Sequence, residues 1–140
     1  MNIWTPWIAL DDEHVQLSLE PSAVIDAFRT RLSHADVIAW DEQRDVLVAR
    51  FAGQAGAFSF ATAEVVRFTP TRITFTHLSG PFMACEETVD VVTSDPGVVV
   101  THRGRFRMKY GPLGWLFGRF VVKHLFEQHV AEEMSGLVAQ

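Results

Sequence analysis

The stretch "ITFTHLSGPFMACEETVDVV", Ile73 to Val92, alternates on both sides of a break at Ser79-Gly80-Pro81. Before the break, Ile73, Phe75 and His77 share one face, and Arg72, Thr74 and Thr76 share the other. This is the two-residue period of a half-buried β-strand. After the break, Cys85, Glu87, Val89 and Val91 share a face. Two such runs joined by a short turn predict an antiparallel hairpin. Its inner face carries a histidine and a carboxylate among hydrocarbon, where a small core wants neither.

The next run has the same period. In "GVVVTHRGRFRM", Gly97 to Met108, one face is Val100, His102, Gly104, Phe106 and Met108, and the other is Arg103, Arg105 and Arg107. Three arginines do not bury unpaired, so they face water and His102 faces inward. With Pro96-Gly97 as the turn centre, Asp95 pairs with Val98. Val91 then lies opposite His102, and Glu87 opposite Phe106.

Working outward, "HVQLSLE" is a strand with Val15, Leu17 and Leu19 on one face. Pro21-Ser22 opens a helix with Ser22 as cap, and Ile25, Phe28 and Leu32 lie on one side. "ADVIAW" and "DVLVARF" are strands around the turn "DEQRD". "AGQAGA" reads as a flexible connection, and "FSFATAEVVRF" as a further strand. The chain closes with "GPLGWLFGRFVVKHLFEQHVAEEMSGLVAQ", read as one long helix with Pro112 in its first turn. At about 100° per residue, Leu113, Phe117, Phe120, Val121, His124, Gln128, Ala131 and Met134 fall on the face toward the sheet. Trp115, Val122, Phe126, Val130 and Leu137 fall opposite. That outer stripe either receives the apolar N-terminus, with Trp4, Trp7 and Ile8, or forms a homodimer interface through Trp115, Val122 and Phe126. Lys109, Arg119 and Lys123 beside it leave room for weak contact with a membrane surface.

The composition bounds the class. The chain has 140 residues, 48% of them hydrophobic, with net charge −5 and one cysteine, Cys85. One domain, residues 1–140, is expected. Length suffices for a real core. The acidic balance argues against a nucleic-acid partner. A lone cysteine excludes an internal disulfide and a multi-cysteine zinc site, and fits a reducing, cytoplasmic location. No run is long and apolar enough to span a bilayer, and "MNIWTPWIAL" lacks the basic start of a secretory signal.

The order strand, helix, about six strands, long helix predicts an α+β chain, an antiparallel sheet of six to seven strands covered by the C-terminal helix. Three segments resemble the helix-grip (SRPBCC) superfamily of START lipid-transfer domains, the birch-pollen allergen and polyketide cyclase/dehydrase-like proteins. They are "VQLSLEPSAVIDAF", "ITFTHLSGPFMACEETVDVV" and "RGRFRMKYGPLGWLFGRFVVKHLFEQHV". The Gly-Pro-Phe hairpin is similar to that of the coenzyme Q-binding branch. One departure is that Leu32 runs almost directly into the next strand, where members often have a second short helix. The resemblance implies a hydrophobic ligand held between sheet and helix.

Read from the residues, His77, Glu87, His102, His124 and Gln128 are too many inward polar groups for a dry core. A solid core would leave several unpaired, at about 1–3 kcal/mol each. A cavity with an apolar wall of Phe75, Phe106, Phe117 and Phe120 accommodates them. The expected function is a carrier or sensor of a hydrophobic small molecule or lipid, without cofactor or metal. The alternative is a cyclase- or dehydratase-like enzyme on a polyketide-type or aromatic precursor, with His77 and Glu87 as acid–base pair. A metal on His77, Glu87 and His102 or His124 lacks any HxH or HExxH spacing. A Cys85 nucleophile with His77 as base would need an oriented dyad.

Overall fold

The computed structural model describes residues 5–55 and 58–138. Strands β1 (Ile8–Ala9) and β2 (Glu13–Leu17) precede helix α1 (Pro21–Ser33). Strands β3 (Asp36–Asp41), β4 (Val46–Ala55), β5 (Phe58–Phe68), β6 (Arg72–Ser79), β7 (Phe82–Ser94) and β8 (Gly97–Met108) follow in succession. Helix α2 (Gly111–Phe117), a π-helical turn (Gly118–Val122) and α3 (Lys123–Val138) end the chain. The eight strands form one antiparallel sheet in the order β1-β8-β7-β6-β5-β4-β3, with β2 also on β8. The Ala52–Ala55 stretch, read as a connection, instead continues β4, with Gln54 opposite Ser59; Gly56 and Ala57 of that reading lie outside the described residues, as does Trp4.

The β7–β8 turn is centred one residue earlier than the sequence suggests, on Asp95-Pro96, because Ser94 pairs with Gly97. Val89 therefore lies opposite His102, Glu87 opposite Gly104, and Cys85 opposite Phe106. The slip is two residues along the ladder, so every side chain keeps its expected face. The Gly80 turn is forced: its φ is +139°, and a Cβ there would stand 2.9 Å from the Ala61 carbonyl oxygen and 2.9 Å from the His77 ring. α1 begins at Pro21, with Glu20 rather than Ser22 at the cap position and no side-chain cap. Its buried stripe is Val24, Ile25, Phe28 and Leu32.

The closing helix turns the opposite face inward from the one expected over its first half. Leu113 is 77% exposed and Phe120 68%, while Val130 and Leu137 are buried. Trp115, Val122 and Phe126 pack on Ile8, Leu10, Phe106 and Met108. The reason is spacing. The inward positions Gly118, Val122, Phe126, Val130 and Met134 repeat every four residues, and in an α-helix each such step overshoots by about 40°. The π turn at Gly118–Val122 rotates less per residue and keeps the stripe on the sheet. Gly118 is needed at the closest approach, since a Cβ there would collide with Met108 and stand 2.9 Å from Ile8. The proposed dimer surface Trp115, Val122 and Phe126 is thus part of the interior. Ile8 does meet that stripe, whereas Trp7 goes to the other side of the sheet and lies 4.1 Å beneath the Arg105 guanidinium.

Candidate functional site

Between the inner face of the sheet, α1 and α3 lies a cavity of about 540 Å³. That volume is in the range of small-molecule sites. Its walls are Phe28 and Leu32 of α1, Phe51 of β4, Phe75 of β6, Phe82 of β7, and Phe126, Val130 and Met134 of α3. The exposed residues Ser59, Phe60, Pro81, Phe117, Gln128 and Glu132 rim its mouth. Phe117 also belongs to an apolar stripe, with Leu113, Leu116 and Phe120, that the helix start holds in solvent beside the mouth.

The floor is polar. His102 is 5% exposed, and its Nε2 lies 2.8 Å from Glu87 Oε1. Gly104 makes room for this pair, since a Cβ there would stand 3.2 Å from Glu87 Cγ. The other ring nitrogen, Nδ1, is buried without a partner among the described residues. A second cavity, of about 140 Å³, adjoins the same imidazole and is lined by Leu10, Asp11, Glu13, Glu127 and Val130. Glu64 of β5 completes the floor; one of its oxygens, the Cys85 sulfur and one Glu87 oxygen lie within 4.8 Å of one another. Glu64 is 8% exposed and makes no hydrogen bond or ion pair among the described residues. Burial raises its pKa to about 8, and the charges of Glu87 and Glu133 add to the effect. Burial likewise pushes the Cys85 thiol far above its ordinary range, followed by the charges of Glu87, Glu64 and Glu86. The floor therefore holds an acid and a thiol that burial keeps toward their protonated forms, beside the hydrogen-bonded Glu87–His102 pair. A thiol this hard to ionise makes a poor nucleophile. With Glu64 also protonated, the trio is a poor metal-donor set, because metal ligands must be deprotonated.

The expected residues separate into two groups. Phe75, Glu87, His102, Phe117 and Gln128 line the cavity. Phe106, His77, Phe120 and His124 do not. Phe106 is wholly buried behind the wall, packed on Phe82 and Phe126. His77 sits against the Phe82 ring with centroids 5.5 Å apart. Burial lowers its pKa. Glu87 meets His102 rather than His77. His124 and Phe120 stand outside because of the π turn. Glu64 is absent from the sequence-based set, although the alternation Phe60, Thr62, Glu64, Val66, Phe68 in β5 carries it to the inner face.

This arrangement, an open antiparallel sheet gripped by a long C-terminal helix over a cavity, is the helix-grip fold of START-like and polyketide cyclase-like proteins. The Zhui aromatase/cyclase from a Streptomyces strain superposes with a TM-score of 0.81 at 10% identity, covering 96% of this chain and 93% of that one. A protein from Thermus thermophilus gives 0.72 at 17% identity, covering 94% of each chain. Norcoclaurine synthase from Thalictrum flavum gives 0.63 at 11% identity, covering 97% and 88%. No protein-family model and no curated protein matches the sequence. No described helix is long and apolar enough to cross a membrane.

Proposed function

We propose that the protein is a binding protein, a carrier or sensor, for a hydrophobic small molecule held between the sheet and the closing helix. The observation that carries this reading is the cavity itself: about 540 Å³, walled by phenylalanines from five elements and floored by a small polar group. An apolar enclosure with few convergent polar anchors is how small-molecule sites are built. A carrier needs a mouth its ligand can pass, and the exposed rim from Phe60 to Phe117 supplies one. The experiment is native mass spectrometry of protein purified without detergent, followed by fluorescence titration with the neutral probe N-phenylnaphthylamine. Wild type should bind one equivalent. Thr62→Phe and Leu125→Trp, which enlarge two side chains that line the cavity, should each weaken binding about tenfold or more, with circular dichroism unchanged. A wild type that binds no neutral apolar probe sinks the reading.

A second reading is a cyclase- or dehydratase-like enzyme on a polyketide-type or aromatic precursor. It is favoured by the direct Glu87–His102 contact beside Glu64, an acid whose pKa burial raises next to a hydrogen-bonded Glu–His pair in one apolar cavity. The names of two similar structures, an aromatase/cyclase and norcoclaurine synthase, agree with it. In this reading Glu87 takes a proton from carbon α to a carbonyl, and Glu64 gives one to the carbonyl oxygen. Its mark is buffer-independent deuterium exchange at the α-carbon of a bound aryl ketone, lost in Glu87→Gln. Binding without exchange leaves the carrier.

A further inference from the structure

Resting on the container reading, we propose that the cavity's ligand carries a basic nitrogen, and that this nitrogen seats between the carboxyls of Glu64 and Glu87. Three observations carry it. Glu64 is nine-tenths buried, lines the cavity and has no partner among the described residues. A carboxyl that lines a cavity and has no protein partner can bond a group that enters it. Glu87 lies within 4.8 Å of it, and among the described residues only one of its oxygens is used, by His102. A donor placed between the two acids would therefore complete both.

The charges on the walls select the sign of that donor. Glu132 and Glu133 add carboxylates at the rim. Arg31 is the one Lys or Arg among the described lining residues; it stands at the mouth and points Nη1 to the Glu133 carbonyl oxygen at 3.5 Å. His129 is spoken for by the Glu133 carboxylate at 3.0 Å. Carboxyl side chains thus outnumber Lys and Arg among the described lining residues, which disfavours a fatty acid, a phosphate or a sulfonate. Rings of Phe75, Phe82 and Phe126 around the floor favour a cation over an anion.

Binding moves one proton. If the amine enters neutral, the Glu64 O–H bond breaks and the N–H bond forms, leaving an ammonium between two carboxylates. If it enters already protonated, the Glu64 proton goes to water. Burial and the charges of Glu87 on β7 and Glu133 on α3 bias Glu64; Cys85 and His102 stand beside Glu87, His77 lies across the β5–β6 ladder, and His129 lines the wall. None of these is a fixed cation, so the free protein keeps the proton to about pH 8.

The test is calorimetric titration with three probes of one shape: naphthylethylamine, naphthylethanol and naphthylacetate. A charge-assisted hydrogen bond is worth about 1.5–3 kcal/mol, so at neutral pH the amine should bind about tenfold or more tighter than the alcohol. The acid should bind weakest. Amine affinity should rise from pH 6 to 8.5 while alcohol affinity stays flat. Buffers of different ionisation enthalpy should report close to one proton released. Glu64→Gln should remove the pH dependence and most of the amine's advantage over the alcohol. An amine no tighter than the alcohol, or an advantage that survives Glu64→Gln, overturns the proposal while the container stands. Failure of all three probes to bind overturns both.

Discussion

Replacing Glu64 by glutamine should stabilise the protein above pH 8 by something on the order of 4 kcal/mol and change little below pH 4.5. The sign follows from where the proton sits. In the unfolded chain the acid ionises near 4.5, and in the folded protein near 8. Below both values each state holds the proton and the group has no effect on the pH slope. Between them only the folded state holds it, so stability contributed at low pH is lost progressively as pH rises. Above 8 the loss is complete. A difference of this size corresponds to roughly 5 kcal/mol at about 1.4 kcal/mol per pH unit, and water in an open cavity reduces it. Glutamine has the shape of the protonated acid and nothing to ionise. Urea unfolding of both proteins between pH 4 and 9 reports the group, because titrations not coupled to Glu64 cancel in the difference. Parallel curves for the two proteins would mean that Glu64 ionises normally and is solvated.

The same residue shows how far the sequence can be read. Alternation settles the inner faces of β6, β7 and β8, because a two-residue period is rigid and Arg103, Arg105 and Arg107 fix its sign. The β7–β8 register read from the sequence is two residues off, because the turn residues Asp95, Pro96 and Gly97 suit two neighbouring turn centres. A two-residue slip leaves the faces alone, so His102 and Glu87 still point inward. What it moves is their separation along the ladder. With Val89 rather than Val91 opposite His102, Glu87 comes within hydrogen-bond reach of that imidazole. His77, two positions from Phe75 on the neighbouring strand, looks the nearer partner only in the wrong β7–β8 register. Glu64 needs no register at all. A strand in which aromatic, small and β-branched residues alternate with Ser59, Ala61, Ala63 and Arg67 already states its inner side.

Helix phase is where one-dimensional reading fails, for a physical reason. Assigning faces at a fixed angle from Leu113 accumulates an error wherever the helix is not α. Nothing in "LFGRFVVKHLF" marks a π turn except the four-residue recurrence of Gly118, Val122, Phe126 and Val130 itself. The resemblance to helix-grip proteins locates the helix and does not set its rotation, because a likeness in element order says nothing about which face of an element is buried.

Two phenylalanines measure that rotation. Phe106→Ala should cost about 3–5 kcal/mol, and Phe120→Ala less than about 1 kcal/mol. From the sequence, both belong to the wall of one cavity and should respond alike. In the fold, Phe106 is 0% exposed, 5.4 Å from the Phe82 ring and 5.9 Å from the Phe126 ring, the latter stacked at 19°. Met108 and Gly118 close around it. Its removal leaves a hole that the sheet on one side and the π turn on the other are too stiff to fill, so the transfer loss and the cavity loss add. Phe120 is 68% exposed, and its ring lies 5.6 Å beneath the Arg119 guanidinium. A cation over an exposed ring contributes about 0.5–1 kcal/mol, and little apolar surface is uncovered when the ring goes. Chemical denaturation of the two variants decides between the rotations. Equal losses would return Phe120 to the interior, and with it His124 and the face that a strictly α-helical chain would present. A large loss at Phe106 alone fixes the helix as it stands, with Val122 and Phe126 over the floor and Leu113, Leu116 and Phe120 in water at the mouth.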